Sequence, residues 1–227
     1  MNIKENINKE TNESSYIVAI TGASGPIYGF SLLKALIFRS FFVHLIISKP
    51  GFRVIKDELG MFVNISEPYI DAASKSLNIK DEIINKFGLQ KVGDRFAILG
   101  DDFLEARIAS GSAKNVNGMV VIPCSMGSLS RIANGISGNL IERAADVMLK
   151  ERKKLVVCPR ETPFSDIHLK NMLSLYSSGA SILPPIPAFY NKPQTIDNIV
   201  DFITGKILDS LGIDNDIYSR WNGYDTK

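Results

Sequence analysis

A chain of 227 residues, 45% hydrophobic and 22% charged, has the length and composition of one soluble α/β domain with a sizeable core. Its 26 basic and 24 acidic residues leave a net charge of +2, too small to point to nucleic acid, and no apolar run approaches the eighteen or so residues of a membrane span. Two cysteines and two histidines, far apart and in no ligand-spaced pair, make no zinc or iron signature.

Residues 1–15 are polar and charged, without the apolar stretch of a secretory signal, and are expected to form a disordered tail. The run 16–21 predicts a strand buried on both faces. It feeds Thr21-Gly22-Ala23-Ser24-Gly25-Pro26-Ile27-Tyr28-Gly29 and then a helix over 28–39, with Phe30, Leu33, Leu36 and Ile37 at helical spacing. A glycine-rich turn opening a helix offers backbone N–H groups and the positive end of the helix dipole to an anion. The glycines fall as GxxGxxxG, not as the GxGxxG of a dinucleotide site. The next strand, 43–48, ends in Ser48-Lys49 rather than in an acid that would grip an NAD ribose. A mononucleotide fits better than a dinucleotide, although a tight strand-to-helix turn explains the glycines equally well.

Residues 66–112 are the least readable: 81–87 reads as helix, 96–99 as a short strand, Ala109-Ser110-Gly111-Ser112 as a loop, and the Asp101-Asp102 doublet as a solvated loop. A strand over 119–123 delivers Cys124-Ser125-Met126-Gly127-Ser128, which suits a second anion site or plain N-capping. A single helix is predicted over 131–150, from Ile132, Ile136, Leu140, Ala144, Val147 and Met148. On it Arg143 and Lys150 share a face two turns apart. The pair suits a phosphate, while Glu142, Asp146 and Glu151 beside it suit a salt-bridged, solvated face.

The strand 155–159 ends in Arg160-Glu161, a cation for an anion and a carboxylate for a proton, or else a surface ion pair. His168, without a catalytic partner in sequence, reads as structural, and His44, inside a strand, as packing. Cys124 and Cys158 each close an apolar run and are expected as buried free thiols of a cytoplasmic protein. A helix over 168–177, a strand over 181–184 and a helix over 195–211 complete the pattern. Such alternation predicts one Rossmann-like (flavodoxin-like) α/β/α domain with a parallel sheet. Ligands of such sheets lie beyond the carboxyl ends of the strands, and four strand ends here carry hydroxyls, glycines, a guanidinium and a carboxylate.

The stretches TGASGPIYG (21–29), IISK (46–49), ASGS (109–112), the run 122–156 with NLIERAADV and LKER, and the run 159–213 opening on PRETPF resemble the UbiX/Pad1 flavin prenyltransferases. The likeness spans nearly all of 16–221; residues 1–15 and about 66–95 fall outside it. The resemblance implies a metal-independent transferase that joins the dimethylallyl group of dimethylallyl monophosphate to N5 and C6 of reduced FMN. Its product, prenylated FMN, would serve a UbiD-type decarboxylase, as in ubiquinone biosynthesis. It further implies that Gly22, Ala23 and Ser24 contact FMN, with Ser24 near N5, and that Ser48, Ser125, Met126, Gly127, Ser128 and Arg160 complete the flavin site. Arg143, Lys150, Tyr190 and Lys206 would hold the allyl phosphate, Glu161 would move protons, and Trp221 would close over the allyl group. The flavoprotein domain would be 16–213, with 214–227 a tail contributing Trp221. The resemblance also implies a large homo-oligomer, commonly a dodecamer, with Tyr190, Lys206 and Trp221 serving a neighbour's flavin. Pro26 and Ser128 depart from the family pattern but keep the chemistry, since proline suits a first helical turn and Ser128 keeps a hydroxyl. The rival implied by the same family is an aromatic-acid (3-polyprenyl-4-hydroxybenzoate) decarboxylase. A cysteine decarboxylase is disfavoured, because CSMGSLS stands where its PxMNxxM motif would be. An electron carrier would have no use for the four phosphate-binding residues.

Overall fold

Six runs of aliphatic and β-branched residues form one parallel sheet: β1 (Ser15–Ile20), β2 (Phe42–Ile47), β3 (Phe96–Gly100), β4 (Val116–Cys124), β5 (Lys154–Pro159) and β6 (Ser181–Ile182). Their order across the sheet is β3-β2-β1-β4-β5-β6, that of a doubly wound Rossmann-like sheet. The computed structural model describes residues 13–62, 72–221 and 223. Most of the expected tail, 1–12, lies outside the described residues, but Ser15 already belongs to β1 and is buried.

Seven helices flank the sheet among the described residues: α1 (Pro26–Phe38), α2 (Lys49–Leu59), α3 (Ala72–Phe87), α4 (Met126–Ala133), α5 (Leu140–Lys150), α6 (Asp166–Ser177) and α7 (Ile196–Leu211). Side chains alternate across a strand, so β1 feeds two cores. Val18 and Ile20 pack with Phe30, Leu33 and Leu36 of α1 and Ile203 and Ile207 of α7. Ile17 and Ala19 pack with Ile141, Ala144, Val147 and Met148 of α5 and with Leu175 of α6. Every residue of β1 is buried, as a strand covered on both faces requires.

The elements depart from the sequence pattern at three places. The helix predicted over 131–150 is two helices: Gly135 stands in the left-handed region at φ 70°, and Asn139 caps α5 by accepting the Glu142 N–H at 3.0 Å. Ile136, counted in the apolar stripe, lies in the gap and is exposed. Helix α2 was not foreseen: it fully buries only Gly51 and Ile55 and rests Phe52 and Leu59 partly on the core, a short apolar stripe among charged residues. β6 stops at Ile182 instead of running to 184, where Pro184 has no N–H to give to a ladder.

Candidate functional site

The winding of the sheet reverses between β1 and β4, and the chain ends of four strands are tied together there. The Ser48 N–H donates to Ile20 O at 3.0 Å, the Thr21 N–H to Pro123 O at 3.2 Å and the Arg160 N–H to Cys124 O at 3.0 Å. The Thr21 hydroxyl donates to Pro123 O at 2.7 Å and accepts the Ser125 N–H at 2.8 Å. With 1% of its surface exposed, Thr21 works as a bolt between the first and third of these loops. No local pattern in the sequence marks it.

The first turn needs its glycines for different reasons. A Cβ on Gly22 would stand 2.5 Å from Pro50 Cβ, and one on Gly29 would stand 2.8 Å from Ile122 O. Gly25 is left-handed at φ 97°, and its N–H donates to Glu58 Oε2 at 2.9 Å. Gly25 has no side chain to cap α1; Pro26 has no N–H, and the Tyr28 N–H donates to Gly25 O at 3.1 Å, so the Ile27 N–H is what the start of the helix keeps for a ligand. Ala23 is buried beside this turn, and Ser24 is half-buried.

Two further serines work as caps. Ser48 Oγ accepts the Gly51 N–H at 3.1 Å. Ser125 Oγ accepts the Ser128 N–H at 3.3 Å and donates to Ser128 Oγ at 3.1 Å. N-capping is thus what the chain by itself does with these hydroxyls. Gly127 is exposed at the lip of the same turn, and Met126 is half-buried against the core beneath it. Arg160 and Glu161 are both exposed at the end of β5, with Glu161 Oε1 accepting the Thr162 N–H at 3.0 Å. Among the described residues none of the ion pairs involves Arg160. Asp101 is not the solvated loop residue that its acidic doublet suggests. It is buried, with its carboxylate accepting the Lys49 N–H at 3.3 Å and its carbonyl the Leu140 N–H at 2.7 Å.

Two turns of α5 separate Arg143 from Lys150, about 10 Å along the axis. Arg143 pairs with Asp146 at 2.6 Å and donates through Nε to Ala109 O at 3.1 Å. Lys150 pairs with Glu151, and this pair lies on Gly111, where a Cβ would stand 2.8 Å from Lys150 Nζ. The ASGS loop therefore adjoins both cations. Glu142, read as part of the same solvated face, is instead 1% exposed. It is bonded to Arg131 Nε and accepts the Gly138 N–H at 2.8 Å and Asn139 Nδ2 at 3.0 Å.

Tyr190 and Lys206 lie on the other side of the sheet. Lys206 is on α7, 4.0 Å from Asp209, and the Tyr190 ring meets Phe202 edge-on at 6.0 Å. Within one chain the sheet stands between α5 and α7, and the four residues do not meet. Trp221 follows Arg220, which is bound to Asp209 near the end of α7. That end adjoins the start of β5, where Lys154 Nζ donates to Leu211 O. Trp221 is thus remote from the strand ends that carry Ser24.

Burial pushes the Cys124 thiol up to about 12 and the Cys158 thiol well above its ordinary value, so both are inert, as expected. His168 completes the cap of α6, its Nδ1 accepting the Ser165 N–H at 3.2 Å. No group of three or more His, Cys, Asp or Glu suited to a metal occurs among the described residues.

An open first turn, a second turn bolted beside it and an exposed guanidinium at the switch point define a mononucleotide-binding α/β protein. These donors fit the phosphate and ring carbonyls of FMN. The chain belongs to the Flavoprotein family, whose model matches residues 4–208. Within it the chain stands with the flavin prenyltransferases: UbiX of Halalkalibacterium halodurans is 46% identical over 209 residues, covering 91% of this chain and 92% of that protein. AnUbiX (PadA1), solved in complex with FMN and dimethylallyl pyrophosphate, superposes with a TM-score of 0.77 at 36% identity, covering 94% of this chain and 100% of the other. A dodecameric FMN-dependent UbiX-like decarboxylase from Escherichia coli O157:H7 does so at 0.73 and 37%, covering 92% and 100%.

Proposed function

We propose that this chain is a flavin prenyltransferase, joining the dimethylallyl group of dimethylallyl monophosphate to N5 and C6 of reduced FMN. The observation that carries the reading is the row of hydrogen bonds drawing the ends of β2, β1, β4 and β5 into one cradle. Bound reduced FMN supplies the electron-rich atoms that accept the allyl group. Gly22, Ala23 and Ser24 line the flavin's edge, with Ser24 toward N5; Ser48, Ser125, Met126, Gly127, Ser128 and Arg160 hold the rest. Glu161, its carboxylate fixed by the Thr162 N–H, handles protons near N5 and the departing phosphate. An allylic C–O bond breaks more easily when cations offset charge developing on the phosphate. Arg143, Lys150, Lys206 and the Tyr190 hydroxyl supply that grip, while the Trp221 face steadies the electron-poor allyl fragment.

Because α5 and α7 cover opposite faces, the grip is proposed to be completed between copies in a homo-oligomer, a dodecamer like the E. coli relative. Exposed Leu169, Leu173 and Tyr176 on α6, with Ile186 and Phe189 nearby in sequence, support a surface that is covered in the assembly. Residues 16–213 are taken as the flavoprotein domain and 214–227 as the tail bringing Trp221. The proposed recipient of the product is a UbiD-type decarboxylase and the proposed location the cytoplasm, which suits two buried free thiols. No helix among the described residues is long and apolar enough to cross a membrane.

The E. coli relative, described as a decarboxylase, favours a second reading: direct decarboxylation of an aromatic acid. Anaerobic incubation with reduced FMN and either dimethylallyl monophosphate or the pyrophosphate separates the two. A flavin heavier by C5H8 supports transfer; CO2 release from an aromatic acid with unchanged flavin overturns it. In the same assay Glu161→Gln is expected to bind FMN normally and turn over on the order of 10²-fold more slowly. Full-speed turnover removes Glu161 from the mechanism.

A further inference from the structure

Beyond Leu211 the chain doubles back along α7, and one carboxylate gathers it in. Asp209 Oδ1 accepts Arg220 Nη2 at 2.6 Å and Asn215 Nδ2 at 2.8 Å. Oδ2 accepts the Tyr218 hydroxyl at 2.7 Å and Arg220 Nη1 at 3.1 Å. A two-pronged guanidinium–carboxylate contact fixes orientation as well as distance. Arg220 Nη2 also reaches Asn215 O at 3.3 Å, closing the loop 215–220 upon itself.

Aromatic packing extends the same unit. The Arg220 guanidinium lies 5.1 Å from the Tyr218 ring centre. Tyr218 meets Phe202 edge-on at 5.3 Å, and Phe202 meets Tyr190 at 6.0 Å. A Cβ on Gly205 would stand 2.2 Å from Tyr218 Cδ1, so a glycine there is what lets the ring lie against α7. Tyr190 and the residue before Trp221 are thereby held against the helix that carries Lys206.

We propose that Asp209 is a positioning residue which, through Arg220 and Tyr218, clasps the C-terminal segment to α7 and fixes where Trp221 stands relative to Lys206 and Tyr190. The inference rests on the reading of those three as site residues. The clasp has a second consequence. Arg220 occupies both oxygens of Asp209, while Lys206 keeps only a long, half-exposed ion pair with it at 4.0 Å. Lys206 keeps its charge for a phosphate instead of closing on its own neighbour. Remove Arg220, and Lys206 becomes the nearest cation to Asp209. The Arg220 hydrogen bonds hold the Asp209 carboxyl below its ordinary range, so the clasp is charged at neutral pH.

Trp221 is the only tryptophan in the chain, so intrinsic fluorescence of the intact, FMN-loaded oligomer reads its placement without an activity assay. In Asp209→Ala, Trp221 anisotropy is expected to fall and acrylamide quenching to rise about twofold, with FMN affinity unchanged. The KM for dimethylallyl monophosphate should rise more than kcat falls, with kcat/KM down about tenfold to a hundredfold, the scale of a misplaced binding group. Asp209→Glu should restore part of both. Arg220→Gln leaves α7 untouched and gives the same reading where Asp209→Ala does not assemble. Wild-type anisotropy and quenching in assembled Asp209→Ala or Arg220→Gln overturn the proposal. A displaced Trp221 with unchanged kinetics upholds the clasp and removes Trp221 from the allyl site.

Discussion

His44 is 8% exposed in the middle of β2, with the Phe42 ring edge-on to it at 5.1 Å. Burial holds its pKa down to about 4, and the Arg107 charge acts in the same direction. An unfolded histidine titrates near 6.5. Between pH 6.5 and about 4, then, the unfolded chain binds a proton that the folded one refuses, and stability falls as pH falls through that window. The loss approaches about 3 kcal/mol at the lower end, counted from the size of the shift. Calorimetric Tm values should fall over this range in the wild type and fall less in His44→Leu. Parallel curves would show that His44 is not the source. The packing role of His44 was legible because an isolated histidine inside a β-branched run has little else to do. The role of Thr21 was not, since nothing in a strand-end threonine says that Pro123 O and the Ser125 N–H, a hundred residues on, will lie on either side of its hydroxyl.

The break between α4 and α5 is held by the most buried carboxylate of the site region. Glu142 binds Arg131 of α4, the Gly138 N–H of the connection and the Asn139 side chain that caps α5. Removing one partner of a fully buried pair costs about 3–5 kcal/mol. The Arg131 side chain is 44% exposed and can regain water, so Glu142→Gln should destabilise by about 2 kcal/mol. Urea unfolding with an unchanged m-value is the check, and a loss below about 0.5 kcal/mol, the level of a surface substitution, would contradict it. The signals for the break stood in the sequence: Gly135 as a stop, and Asn139 followed by Glu142 as a start. Apolar periodicity outweighed them because Ile136 happens to continue the stripe across the gap. The capped helix α2, of eleven residues, was hidden because its apolar stripe is only Phe52, Ile55 and Leu59, too short to stand out among its charged neighbours. Strands 1, 2, 4 and 5 were readable because burial on both faces leaves nearly unbroken apolar runs.

At the scale of the molecule, the deciding fact is which face of the sheet each helix covers. Helical spacing correctly put Arg143 and Lys150 on one side of α5, but no local pattern states that α5 packs on Ile17 and Ala19 while α7 packs on Val18 and Ile20. That parity comes from crossover handedness and strand order together. It leaves Arg143 and Lys150 on the opposite face of the sheet from Lys206 within one chain. If the grip forms between copies, a variant lacking Arg143 and a variant lacking Lys206 are each defective in different halves of the same site. Co-expressed in equal amounts as Arg143→Ala and Lys206→Ala, they should form mixed oligomers. A junction is intact when one copy brings Arg143 and its neighbour Lys206, which random mixing gives in about a quarter of junctions. Prenyl transfer near a quarter of wild type, against little in either variant alone, is the expected result. Mixed oligomers no more active than their parents would mean that both side chains act within one chain, against the geometry of the sheet, or that one of them takes no part in holding the phosphate.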